Sequence, residues 1–286
     1  MSSANEDASP ALSRRLEDDV ERARAGDRDA LESVVRAVQT DVHHLALRFL
    51  WHPQDAEDAT QEALIRIVTG LGSFNGESSF RTWAYRVACN TLLSLRKKGR
   101  MEKHAMSFDE FGDDLARGLS DDALVVQHEA DEALLLEEVK IGCTLAMLLC
   151  LDRPHRLAYI LGEILELDHR ESAEVLDVTP AAYRKRLSRA RASITSFMKS
   201  RCGLVNPENP CRCRRRVDTA VQLGRVEPGK LLFASSLEQA ERFPEVLVKI
   251  RQLEETQRAA ALYRSHAHPP ASDAFASWLS RVLRHV

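Results

Sequence analysis

The sequence predicts an all-α protein built of more than one module, and three observations carry that prediction. Glycine and proline are sparse, 12 and 10 of 286 residues, so helices are seldom interrupted. Almost every apolar pattern recurs at three and four residues, the helical period. Charge is segregated: the net value is only -3, yet Asp109 to Glu138 is acidic and Arg184 to Arg216 is heavily basic. A chain that coats nucleic acid unaided would carry a large positive excess. This one suits local contact with a polyanion and contact with something basic elsewhere.

In chain order, residues 1–24 are polar and predicted as a disordered tail, and Met1 to Pro10 lacks the hydrophobic core of a signal peptide. From Ala30 to Leu50, Leu31, Val34, Val35, Val38, Val42, Leu45 and Phe49 trace an amphipathic helix that Pro53 terminates. A second helix opens at Asp55 and runs to about Thr69. Ala56, Ala59, Ala63, Ile67 and Leu71 face inward, while Glu57, Asp58, Gln61 and Glu62 crowd the outer face. Carboxylates near a helix N-terminus are favoured by its dipole, so that face by itself reads as solvated.

A loop from Gly72 to Ser79 leads into a helix from Ser79 to about Lys98, with Ala84, Val87, Ala88, Thr91 and Leu95 inward. Arg86, Asn90, Ser94 and Lys97 line another face, and Arg96, Lys97, Lys98 and Arg100 end it with positive charge. Aromatic and cationic residues interleave here, which suits single-stranded nucleic acid: bases stack on rings while cations track phosphate. The competing reading makes Phe80 and Trp83 core residues, and for Trp83 that is the better one. Residues 25–99 thus form a first domain. The stretch 100–133 is rich in Asp and Glu with few apolar anchors, and is predicted as a flexible linker.

The second domain, 134–201, carries the most telling stretch. A supporting helix from about His155 to Leu167 offers Leu157, Ile160, Leu161, Ile164 and Leu165 on one side. Asp168 and Glu171 have the spacing of a capping box at the start of a short helix that buries Ala173 and Leu176. After Asp177-Val178, Thr179 caps the next helix with Pro180 at its first position. There Tyr183, Leu187, Ala190 and Ile194 form an apolar stripe, while Arg184, Lys185, Arg186, Ser188, Arg189 and Arg191 stand on the polar side. Two short helices, a tight turn and a basic second helix make a helix-turn-helix, whose second helix enters the DNA major groove. A basic face alone fits a solvated helix equally well; the capped geometry favours DNA. Sequence does not divide Arg184, Arg186 and Arg189 between base edges and phosphates.

With both modules in view, the order of parts resembles the extracytoplasmic-function (ECF) group of bacterial RNA polymerase sigma factors. The resemblance rests on D-A-E-D-A-T-Q-E from Asp55, F-N-G-E-S-S-F-R-T-W-A-Y-R-V-A-C-N from Phe74, and R-K-R-L-S-R-A-R from Arg184. It covers about Ala25 to Arg201. It implies that the first domain binds the clamp helices of the polymerase largest subunit and opens the minus-ten promoter element. The second domain would read the minus-thirty-five element as duplex. Carried over by position, Glu57, Asp58, Gln61 and Glu62 become polymerase contacts. Phe74, Asn75, Phe80, Arg81, Arg86 and Asn90 become the minus-ten surface. Thr179, Arg184, Lys185, Arg186, Ser188 and Arg189 become minus-thirty-five contacts. The acidic linker would thread a basic channel of the polymerase, and an anti-sigma factor is a further partner the family implies. Two departures stand out: Asp177 where the turn usually has glycine, and Ser94 where aspartate is common.

The extension, residues 202–286, exceeds a minimal member. Cys202, Cys211 and Cys213 lie beside Arg214, Arg215 and Arg216, a setting that lowers thiol pKa and raises reactivity. Such a group can hold zinc or Cu(I), with His266 or His268 as further ligands; the alternative is a structural loop with incidental cysteines, and no cofactor. Ser236 and Gln239 form a second capping box, Pro244 starts or kinks a helix, and Phe275, Trp278, Leu279 and Val282 mark a last amphipathic one. Each is too short to stand alone, so they are expected to fold back onto the domains before them. The apolar run Ile141 to Leu151 is too short to span a bilayer, and six scattered cysteines do not make a secreted disulfide framework, so the protein is expected in the cytoplasm, with no membrane partner. No glycine-rich phosphate loop, nucleophile elbow or HExxH motif argues for an enzyme. Two rival readings stay open: a free-standing helix-turn-helix regulator, and a metal or redox sensor.

Overall fold

Asp27 starts helix α2 (Arg28–Leu50) by accepting the Ala30 amide at 3.1 Å, and the helix buries Val34, Val35, Val38, Val42, Leu45 and Phe49. The structure, a computed structural model, describes residues 8–95, 105–120, 129–266 and 272–285. Helix α2 stops at Trp51, whose φ of 68° turns the chain so that Pro53 can open α3 (Pro53–Gly70). The Trp51 indole donates to the Gly142 carbonyl at 2.8 Å and thereby ties this hairpin to a helix 91 residues further on. The alanine stripe of α3 packs on α2 as its spacing predicts, with Ala56, Ala59, Ala63 and Ile67 buried. Helix α4 (Phe80–Ser94), capped by Ser79 on the Thr82 amide, closes the first module. The basic segment Arg96–Arg100 lies outside the described residues.

Two segments expected to lack structure are helical. Within the predicted tail, α1 (Ala8–Arg24) packs on α2 through Leu16, Val20 and Ala23, an i, i+4, i+7 stripe set among charges. Within the predicted linker, Ser107 and Glu110 form a complete capping box for α5 (Phe108–Arg117). Phe108 and Phe111 set their rings 5.2 and 5.7 Å from Phe197, and Leu115 is buried. The acidic composition hid these anchors, which recur at helical spacing and offset the entropy of ordering the helix. Residues 121–128 lie outside the described residues.

Helix α6 (Glu129–Leu149) is the axis of the second half. It leads through α7 (Arg153–Tyr159) and a π-helical turn (Ile160–Ile164) to α8 (His169–Val175) and α9 (Pro180–Arg201). The buried Arg156 guanidinium donates to the carbonyls of Phe49, Leu148, Leu149 and Leu151 at 2.8–3.3 Å, so one side chain joins the ends of α2 and α6. The extension adds α10 (Cys213–Gln222), α11 (Leu237–Gln252), α12 (Glu255–Arg264) and α13 (Asp273–His285). Helices α10 and α11 pack on α6, and α12 on α9, so the extension folds back as expected. Glu138, fully inside, accepts the amides of Leu232, Phe233 and Ala234, each at 2.8 Å. Asp114 of α5 takes Arg216 and Arg225 of the extension at 3.0 and 2.7 Å. All regular elements among the described residues are helical, matching the all-α prediction.

Candidate polymerase and nucleic-acid interfaces

Helix α3 displays Asp58 and Glu62 to solvent and Gln61 half-buried; Glu62 leans on Arg66 at 2.8 Å. Glu57, expected on the same open face, is only 7% exposed. Its two carboxylate oxygens accept the Ser272 amide and the Ser272 hydroxyl, both at 2.7 Å. Glu57 is therefore withdrawn from the acidic face by the residue that starts α13.

The loop before α4 corrects a second expectation. Phe74 and Phe80 do not offer their rings to bases: they are 5% and 1% exposed and form a triad with Trp83, each pair of centroids 5.6 Å apart. An aromatic next to a cation reads alike in sequence whether it stacks outward or plugs a core. Asn75 stays exposed and accepts the Glu77 amide at 3.3 Å, with Gly76 at φ 74° holding the turn. Arg81 bonds Asp41 of α2. Arg86 reaches across to α8, where it meets the Glu174 carbonyl at 3.1 Å and its carboxylate at 3.2 Å. Thr82 donates to Glu171 at 3.1 Å. Asn90 is exposed one turn further on.

The helix-turn-helix forms as its sequence predicts, with one change at its start. Asp168 caps α8 on the amides of Arg170 and Glu171, at 2.6 and 2.9 Å. Glu171 does not reciprocate the box; its carboxylate is the one Thr82 of α4 meets. Asp177 adopts φ 50°, the left-handed turn a glycine would fill, which aspartate tolerates. Thr179 accepts the Ala182 amide at 3.2 Å to start α9. Tyr183, Leu187, Ala190 and Ile194 are all buried, with Tyr183 donating to the Ala158 carbonyl. Arg184, Lys185, Ser188 and Arg189 are exposed and Arg186 is half-buried. Among the described residues no carboxylate pairs with these four cations, whereas Arg191 and Lys199 further along are engaged by Glu163 and Glu255. The unneutralised charge is thus concentrated in the first half of the helix, the end that meets base edges in this motif.

The cysteine loop does not show the reactive chemistry expected of it. Cys202 and Cys211 lie side by side in a single backbone bridge, with Gly203 donating to the Cys211 carbonyl at 3.1 Å. Burial pushes the Cys211 thiol up to about 11 and the Cys202 and Cys213 thiols up as well. The arginines that were to activate them are engaged elsewhere: Arg214 by Glu132, Arg215 by the Ser120 and Pro210 carbonyls, Arg216 by Asp114. Desolvation therefore outweighs charge. Cys143 of α6 shares this buried neighbourhood. Among the described residues no three His, Cys, Asp or Glu side chains are grouped to hold a metal; His268 lies outside them.

Sequence reasoning missed Glu174 and Ser272, and gave Glu171 a capping role where its carboxylate meets Thr82. The motif Ser272-Asp273-Ala274-Phe275 is a legible N-cap, but its other bond, to a residue 215 positions away, has no local signature.

The described residues form a first helical module and a second that ends in a helix-turn-helix, followed by the helical extension. The sigma-70 region 2 model matches residues 34–101 and the sigma-70 region 4 model residues 141–194. The chain is 32% identical to the RNA polymerase sigma-H factor of Pseudomonas aeruginosa, spanning 63% of this chain and 92% of that protein. It is also 32% identical to the ECF RNA polymerase sigma-E factor of Escherichia coli K12, over 64% of this chain and 95% of that one. A solved structure of CnrH in complex with the cytosolic domain of CnrY is similar at 21% identity and a TM-score of 0.45, covering 65% of this chain and 97% of that one. The chain belongs to the ECF family of RNA polymerase sigma factors. No helix among the described residues is long and apolar enough to cross a membrane.

Proposed function

We propose that this sigma factor acts in the bacterial cytoplasm, binding the clamp of core RNA polymerase with Asp58, Gln61 and Glu62 of α3. The Asn75 loop, Arg86 and Asn90 then hold the opened minus-ten strand, and Arg184, Lys185, Arg186, Ser188 and Arg189, from the Thr179 cap onward, dock on minus-thirty-five duplex. The single observation that carries the duplex assignment is the split of α9: four cations without carboxylate partners on its N-terminal half, over a fully buried stripe. Opening a promoter makes and breaks no covalent bond, so the reading needs neither a catalytic residue nor a cofactor. The few-kcal/mol cost of unstacking is offset where flipped bases find replacement contacts.

This function requires the two modules to part. Promoter elements centred about 25 base pairs apart lie roughly 85 Å from each other along B-form DNA, whereas α4 and α8 touch here through Arg86–Glu174 and Thr82–Glu171. The state described is therefore a closed one, and binding to polymerase and promoter selects an open one. Mixing the purified chain with bacterial core polymerase should give promoter-directed transcripts that the core alone does not make. A chain that fails to associate with core enzyme would overturn the proposal.

A further inference from the structure

The last helix belongs to neither promoter-reading module, yet it sits on the first one. Phe275 and Leu279 are 4% and 6% exposed and join the core, and α13 packs on α2. The Phe275 ring lies 5.9 Å from that of His43 and 5.7 Å from that of Trp278. Ser272 binds Glu57 twice while its Oγ also accepts the Phe275 amide at 3.1 Å, so one residue both starts α13 and fastens it to α3. Two charge-assisted bonds of 2.7 Å to a carboxylate already out of water are among the stronger kinds available to neutral donors. Glu57 and Gln61 are one helical turn apart, about 5–6 Å.

We propose that α13 is an intramolecular latch that fastens on Glu57, beside the polymerase-contact residues near the N-terminus of α3, and competes sterically with core RNA polymerase for that end of the helix. The inference rests on the assignment of α3 as the polymerase contact. Its physical basis is that an intramolecular segment acts at an effective concentration in the millimolar range, so a modest contact suffices to hold α13 beside the face. Polymerase then binds only the fraction of chains whose latch is open, and its apparent dissociation constant rises in inverse proportion to that fraction. The latch also explains why Glu57 is buried while its neighbours Asp58 and Glu62 stay in water.

The test is a titration of core polymerase with full-length chains. Phe275→Asp places a charge where a ring is buried and should expel α13, tightening binding about tenfold or more. Ser272→Ala removes only the hydroxyl that bonds Glu57 and caps α13, does not disturb the core, and should tighten binding about fivefold. Ser272→Ala with the parent's affinity overturns the latch, even if Phe275→Asp fails to fold. The paired change Asp58→Arg, Glu62→Arg separates this from the underlying assignment. If it abolishes binding while Ser272→Ala and Phe275→Asp leave affinity unchanged, α3 is the contact face and α13 does not guard it. If it leaves binding intact, the α3 assignment fails and the latch falls with it.

Discussion

Arg156 shows how much of this protein hangs on single side chains. Its guanidinium satisfies four carbonyls at the ends of α2 and α6 from a position 3% exposed. A lysine there keeps the charge but not the planar fork, and leaves buried acceptors unpaired. Arg156→Lys should lower unfolding stability by about 2–4 kcal/mol in urea titration; an unchanged midpoint would show that the carbonyls find other donors. Gly162 is a second such point. A methyl group there would lie 2.4 Å from the Tyr183 hydroxyl and 2.9 Å from Leu187, both buried on the recognition helix. Gly162→Ala should therefore cost about 1–3 kcal/mol and weaken duplex binding by tilting α9. His44 sets a pH dependence. Burial, helped by the nearby Arg48 charge, lowers its pKa from 6.5 to about 4. Between those values the unfolded chain takes up a proton that the folded chain refuses. Its contribution is whole above about pH 6.5 and is lost as pH falls toward 4. Urea midpoints at pH 7 and pH 5 should converge in His44→Gln, and equal slopes in the two proteins would remove His44 as the cause.

At the scale of elements, sequence reasoning succeeded where a helix declares itself through its own neighbours. Thr179-Pro180, the Tyr183–Ile194 stripe and the φ 50° turn at Asp177 are all local, and all are where the sequence put them. It failed at α1 and α5, where charge dominates composition while three or four apolar residues at helical spacing decide the outcome. It also failed at Phe74 and Phe80, because periodicity says that a ring is on one face but not whether that face ends in solvent. The four unpaired cations of α9 carry a direct expectation. Arg186→Ala should weaken binding to minus-thirty-five duplex across sequences and reduce the slope of log K against log salt by about 1. A slope equal to the parent's would move Arg186 from phosphate contact to base readout or to packing, consistent with its half-buried position.

For the molecule as a whole, the question is what holds the closed state. The Arg86–Glu174 pair is half exposed, so its strength is at most about 1 kcal/mol. Glu174→Arg should therefore shift the balance toward the open form by no more than about fivefold. The readout is a larger radius of gyration in small-angle scattering, and an unchanged radius would place the closing force in buried contacts instead. The amino-acid sequence by itself determined the helices, their caps and inner stripes, the order of the two modules and the family, because these depend on residues three or four apart. Only the tertiary structure decided that α4 faces α8, that burial of the cysteine thiols outweighs the arginines near them, and that Ser272 closes on Glu57. The first and last of those are meetings of residues 88 to 215 positions apart, and which surfaces meet is settled by the burial each docking achieves, which no short window of sequence records.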